Sequence, residues 1–138
     1  MSDIITWDEK YSIGHELIDS QHQQLFEYLN FYYESLIACQ ENGVPGEVIK
    51  SMLNNLTEYA KYHFIEEEKV MNSVEGIDFS SHFKEHRDFC SKVTAFTAKM
   101  FLGENITYEL FDFMKSWLLT HILLSDQKIG KACKGKSY

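Results

Sequence analysis

Apolar residues return every three or four positions in four separate stretches of the chain, the period of a helix with one buried face. The first stripe is Leu25, Phe26, Leu29, Tyr33, Leu36 and Ile37, with Asp19 or Ser20 as its cap and Asn42 and Gly43 as its stop. Pro45 suits a first helical turn and opens a second stripe, Ile49, Met52, Leu53, Leu56, Tyr59 and Ala60, which runs on to Met71 and Val74 before Gly76. Phe89, Val93, Phe96 and Met100 form a third, starting near Asp78 or Ser80 and closed by Gly103. Leu110, Met114, Trp117, Leu118 and Leu124 form a fourth, with Thr107 as its cap. The spacing predicts an all-α domain spanning 1–138: an irregular arm over 1–18, helices over about 19–41, 45–74, 79–102 and 108–124, and a C-terminal tail. Short Gly/Asn/Pro connections force neighbours to run antiparallel, so the expected architecture is an up-down-up-down four-helix bundle.

Charge narrows the set of partners. Thirteen basic against twenty-one acidic residues give a formal charge of −8, which argues against nucleic acid or an anionic membrane surface. The most apolar segment, "LFDFMKSWLLTHILL", is interrupted by Asp112, Lys115 and His121 and is too short to span a bilayer. The N-terminal "MSDIITWDEK" carries no secretory pattern, so a cytoplasmic protein is expected. Cys39, Cys90 and Cys133 are odd in number and lack CxxC spacing, as suits reduced thiols. The lysine-bearing end "KIGKACKGKSY" reads as a solvated tail.

Histidine changes the picture. Five of the six fall on the apolar stripes: His22 ahead of Leu25 and Phe26, His63 one turn after Tyr59, His82 and His86 leading into Phe89, and His121 one turn after Trp117. A lone inward histidine is usually a satisfied core residue. Five without partners would together cost on the order of 1–3 kcal/mol each, against a total stability of about 5–15 kcal/mol. They need a common partner, and a metal is one. His15, in the arm, has no such spacing and reads as structural or exposed.

The same helical geometry sorts the acidic residues. Glu67 lies about 40° around the helix from His63 and shares its face, Glu66 at about 60° is its rival, and Glu68 at about 140° turns toward solvent. Glu85, between the third-helix histidines, also points outward. Asp126 stands about 140° from His121 on an ideal helix and joins the histidines only if the helix ends or distorts after Leu124. Asp19 reads as a cap rather than a partner of the histidines. Five imidazoles and two carboxylates exceed the needs of one tetrahedral zinc, and calcium or magnesium prefer oxygen alone. Imidazole with carboxylate suits iron, and seven side chains suit two irons.

With these pieces in order, the chain resembles the hemerythrins, and in particular single-domain bacteriohemerythrins. The resemblance rests on Trp7 and "SIGHELIDSQHQQL", on "HFIEEEKVM", on "HFKEH" and on "WLLTHILLSD". It implies that His82, His86 and His121 bind one iron, that His22 and His63 bind the other, and that Glu67, Asp126 and an oxo or hydroxo group bridge them. It also implies that Phe64, Trp117, Leu118 and Ile122 line an oxygen pocket, to which helical spacing adds Leu25.

The function so implied is reversible dioxygen binding for transport, storage or delivery, by a monomer that is not an enzyme and that hands oxygen to a protein recipient. Two other readings compete with it. One is a module that senses oxygen, redox state or nitric oxide through a partner; the other is a di-iron oxidase, which would favour a more carboxylate-rich ligand set.

Overall fold

The computed structural model describes residues 4–42 and 46–134, without the side chains of residues 39–42 and 46. Gly43, Pro45, the Cys39 thiol and the last four residues of the tail lie outside the described residues. Four long helices build the molecule: α1 (Glu16–Asn42), α2 (Gly46–Asn72), α3 (Ser80–Phe101) and α4 (Thr107–His121). Helix α1 packs on α2 and α4, and α3 packs on the same two, which closes a four-helix bundle. Positive φ at Gly76 and Gly103 turns the chain after α2 and α3, a conformation that only glycine adopts without strain.

Two apolar cores hold the helices. The larger runs along the bundle through Leu25, Leu29, Tyr32, Leu53, Phe64, Phe89, Leu110, Leu118 and Ile122. The smaller closes one end with Ile13, Ile18, Met71, Val74, Phe79, Ile129 and Cys133. On each helix the inward histidines fall near the boundary between the two: His22 between Ile18 and Leu25, His82 and His86 between Phe79 and Phe89. The polar centre is therefore packed from both sides.

Several boundaries differ from the sequence expectation. Helix α1 starts at Glu16, so Asp19 lies inside it and is no cap. Its carboxylate instead accepts hydrogen bonds from Ser12 Oγ at 2.6 Å and from the Ile13 amide at 2.8 Å, tying the arm to the helix. His15 sits at the helix start, where its Nδ1 accepts from the Ile18 amide at 3.4 Å. The arm is held further out too: Asn30 makes two hydrogen bonds to the backbone of Ile5, and the rings of Trp7, Tyr11 and Phe26 pack in tilted and edge-to-face pairs. Thr107 is the first residue of α4 and not its cap, the hydroxyl reaching only Asn105.

The largest correction concerns the C-terminal end. Helix α4 does not stop after Leu124. It passes through a π-helical turn over Ile122–Asp126 and continues as α5 (Gln127–Cys133). The wider turn rotates Leu124 out of the stripe, where it is 66 % exposed, and leaves Ile122 and Asp126 inside. What read as a solvated tail buries Ile129 and Cys133. Gly130 lets the arm press against it, because a Cβ there would stand 1.9 Å from the Ile13 carbonyl oxygen.

Gly130→Ala should therefore destabilise the protein by about 1–3 kcal/mol, the usual range for overpacking. Urea unfolding should show it as a lowered midpoint. Lys131→Ala, at an exposed neighbour, should leave the midpoint within about 0.5 kcal/mol of the parent.

Candidate metal centre

Seven side chains from the four corners of the bundle meet in its interior. His22 comes from α1, His63 and Glu67 from α2, His82 and His86 from α3, His121 from the end of α4 and Asp126 from the π turn; all seven are buried. Glu67 and Asp126 are 0 % exposed. Glu66, the rival by helical spacing, turns outward and pairs with Lys69 at 3.0 Å. Asp126 reaches the centre because a π turn closes from i to i+5, which sets it one turn beyond His121 on the same face.

The two carboxylates divide the histidines. Glu67 Oε2 faces His22 and His63 at 3.1 and 2.8 Å, while its Oε1 faces His82 and His86 at 3.2 and 3.0 Å. Asp126 repeats the pattern: Oδ2 stands 3.0 Å from His22, and Oδ1 stands 3.1 and 3.0 Å from His82 and His121. Two groups of ligand atoms result, each lying within 4.8 Å of one another: His82, His86 and His121 with both carboxylates, and His22 and His63 with the same two. Each carboxylate serves both groups.

Hydrogen bonding does not satisfy this cluster. His63 Nε2 and both oxygens of Asp126 have no hydrogen-bond partner despite the short distances. The Nε2 atoms of His22, His82 and His86 meet Glu67 in hydrogen-bond geometry, but none of these contacts serves the Asp126 carboxylate. A buried carboxylate left this way costs several kcal/mol. Two cations, each taking one oxygen from Glu67 and one from Asp126, would satisfy them, and the mixed nitrogen and oxygen set suits iron.

The outward edges of the imidazoles are held as well. His63 Nδ1 donates to Gln21 Oε1 at 2.7 Å, His86 Nδ1 to Glu68 Oε2 at 2.8 Å, and His121 Nδ1 to Glu85 Oε1 at 3.1 Å. Ser125, inside the π turn, donates to both oxygens of Glu85. Glu68 and Glu85 thus do not simply point to solvent, as their angular positions suggested; they are 36 % and 40 % exposed and reach sideways to the next helix. A signal for them existed. Metal-bound histidines nearly always donate their second ring N–H to an acceptor, and Gln21, Glu68 and Glu85 are direct chain neighbours of His22, Glu67 and His86.

Aromatic rings cover the centre on the side of the larger core. Phe64 stacks on His86 with centroids 4.0 Å apart, and Trp117 on His121 at 4.4 Å. Leu25, Leu118 and Ile122 belong to the same buried core.

Electrostatics in the metal-free chain follow from the burial. Desolvation disfavours the charged forms of His22 and His121, but the carboxylates of Asp126 and Glu67 outweigh it and raise them to about 9 and about 10. His82 is raised for the same reasons. Burial pushes Glu67 and Asp126 the other way, and the surrounding imidazoles overcome it, holding both below the usual carboxylate range. Protons here stand where cations would.

A four-helix bundle with two shared carboxylates among five buried histidines defines a protein that binds a pair of metal ions. Residues 13–133 match the family described as Hemerythrin HHE cation binding domain. A bacteriohemerythrin of Clostridium acetobutylicum is 32% identical over 127 residues, 91% of this chain and 98% of the relative. One from Stenotrophomonas maltophilia is 31% identical over 90% of this chain and 78% of its own. A myohemerythrin of Sipunculus nudus is 27% identical over 91% of both chains. No solved structure matches. The chain belongs to the hemerythrin family, which binds dioxygen at a di-iron centre, and its cofactor is a pair of iron ions.

The pH dependence of the metal-free protein follows from the signs above. The raised histidines contribute stability that is complete below their unfolded value of 6.5 and is lost as pH rises through about 9 to 10. The depressed carboxylates contribute stability present above 4.5 and lost as pH falls through their lower folded values. The thermal midpoint of the metal-free protein should therefore peak between pH 4.5 and 6.5. Differential scanning calorimetry across pH 3–10, on protein stripped by chelator, checks this.

Proposed function

We propose that the protein binds dioxygen reversibly and serves to carry, store or deliver it. The observation that carries this reading is the unequal division of the histidines between two groups that share both carboxylates. His82, His86 and His121 would hold one iron and His22 and His63 the other, with Glu67 and Asp126 bridging. This division would give the first ion five protein ligands and the second four. The second then has one more position for a ligand.

The iron pair supplies the two electrons that dioxygen takes up on binding and gives back on release. The protein's part is to keep that exchange reversible. Phe64 and Trp117, stacked on ligand imidazoles, with Leu25, Leu118 and Ile122, would keep water and stray proton donors away from the open position. The histidine-rich donor set also supports a carrier over an oxidase, because oxidases of related architecture use carboxylate-rich ligands. No helix among the described residues is long and apolar enough to cross a membrane. The Cys90 thiol, outside any disulfide, agrees with a reducing compartment, and we place the protein in the cytoplasm; we take it to be a monomer, which light scattering tests.

Stepwise oxygen addition to the reduced, iron-loaded protein should produce an absorption band that grows with oxygen pressure and vanishes under vacuum. Irreversible bleaching, or steady turnover of an added organic substrate, would sink the carrier reading. Glu67→Gln should lower retained iron well below the parent's about two ions per chain, by the 10- to 100-fold loss of affinity typical when a metal's surroundings are disturbed, or more. Glu66→Gln should leave the iron content unchanged.

A further inference from the structure

The outer hydrogen-bond acceptors differ in charge between the two halves of the centre. On the three-histidine side, His86 and His121 each donate Nδ1–H to a carboxylate, Glu68 and Glu85. On the two-histidine side, His63 donates to the neutral amide of Gln21, and buried His22 Nδ1 has no partner. Ser125 fixes Glu85 with hydrogen bonds of 2.7 and 3.0 Å, so that carboxylate is positioned rather than free. Glu67 and Asp126 give one oxygen to each side and cancel in the comparison.

A carboxylate accepting from Nδ1–H makes the imidazole a stronger donor through Nε2 and places a negative charge behind it; an amide does neither to the same degree. Both effects favour the ion of higher charge. We propose that this asymmetry polarises the di-iron centre, so that the three-histidine subsite keeps the ferric ion while the two-histidine subsite is reduced first. Glu68 and Glu85 are positioning residues in this scheme, acting through His86 and His121, and Gln21 is their neutral counterpart acting through His63. The inference rests on the di-iron reading above. Its chemistry is two separate one-electron steps: iron(III) at the two-histidine side takes the first electron from a one-electron mediator, and iron(III) at the three-histidine side takes the second.

Spectroelectrochemical titration of the iron-loaded protein, with dye mediators, tests it. The parent should show two separated midpoints. Glu68→Gln and Glu85→Gln keep an acceptor but remove the charge, so each should raise the lower midpoint and leave the upper one in place. A tenfold change in the equilibrium, the lower end of what outer partners of metal ligands control, corresponds to about 59 mV for one electron. Gln21→Glu adds a charge on the other side and should lower the upper midpoint, leaving the lower. A purely structural role predicts altered iron retention without this opposite and selective movement. Midpoints that shift together, move in the reverse sense or do not move overturn the inference. Failure of the parent to hold two irons would instead overturn the functional reading. Glu68 and Glu85 are both partly exposed, and two variants with one inverse change keep the test decisive if one does not fold.

Discussion

Two fully buried carboxylates, shared between five imidazoles, impose the terms on which the rest of the molecule is built. Glu67 and Asp126 are sealed between the two apolar cores; Glu67 meets the Nε2 atoms of His22, His82 and His86, and both Asp126 oxygens are left without a hydrogen-bond partner. Such a cluster is unfavourable alone, since removing one partner leaves a buried charge uncompensated. It persists because the helices that carry it are fixed by apolar packing above and below. The bundle holds a polar centre that would not hold itself.

The end of the bundle shows how this packing extends to chain segments without ligands of their own. The arm is tied to α1 through Asp19, and Ser12 accepts from Gln127 of α5 at 3.3 Å. Ile13 meets Gly130 at backbone distance. These contacts cover the side of the centre opposite Phe64 and Trp117. They also hold α5, which continues directly from the π turn that carries Asp126.

Helical periodicity made most of the bundle legible in advance, because four stripes with short connections have few other solutions. It also brought His22, His63, His82, His86 and His121 to the same interior. It failed where the chain leaves the 3.6-residue repeat. Leu124 looked inward and is outward, and the segment after Asp126 looked like a tail, because periodicity does not see the π turn that shifts both. The sequence question posed by Asp126 was sound, but distortion without termination was the answer. Glu68 and Glu85 were missed for another reason. Angular position describes where Cβ points, and a glutamate is long enough to lie across a helix flank and reach a ring on the next helix. Asking which acceptor each ligand's second nitrogen needed would have found them.

The outer acceptors also obey a rule of handedness. Gln21 precedes His22 and serves α2, Glu68 follows Glu67 and serves α3, and Glu85 precedes His86 and serves α4. The step is backward on α1 and α3 and forward on α2, which runs the opposite way. In a right-handed helix, a backward step going up and a forward step going down rotate in the same sense. The three latches therefore turn one way around the bundle, each helix clasping the next. The fourth step in that sequence is the residue after His121, which is the buried Ile122. It offers nothing polar, and His22, the histidine it would have clasped, has the Nδ1 left without a partner. Among the described residues, the circle is left open at the junction of the first and fourth helices, on the side of the centre that holds His22.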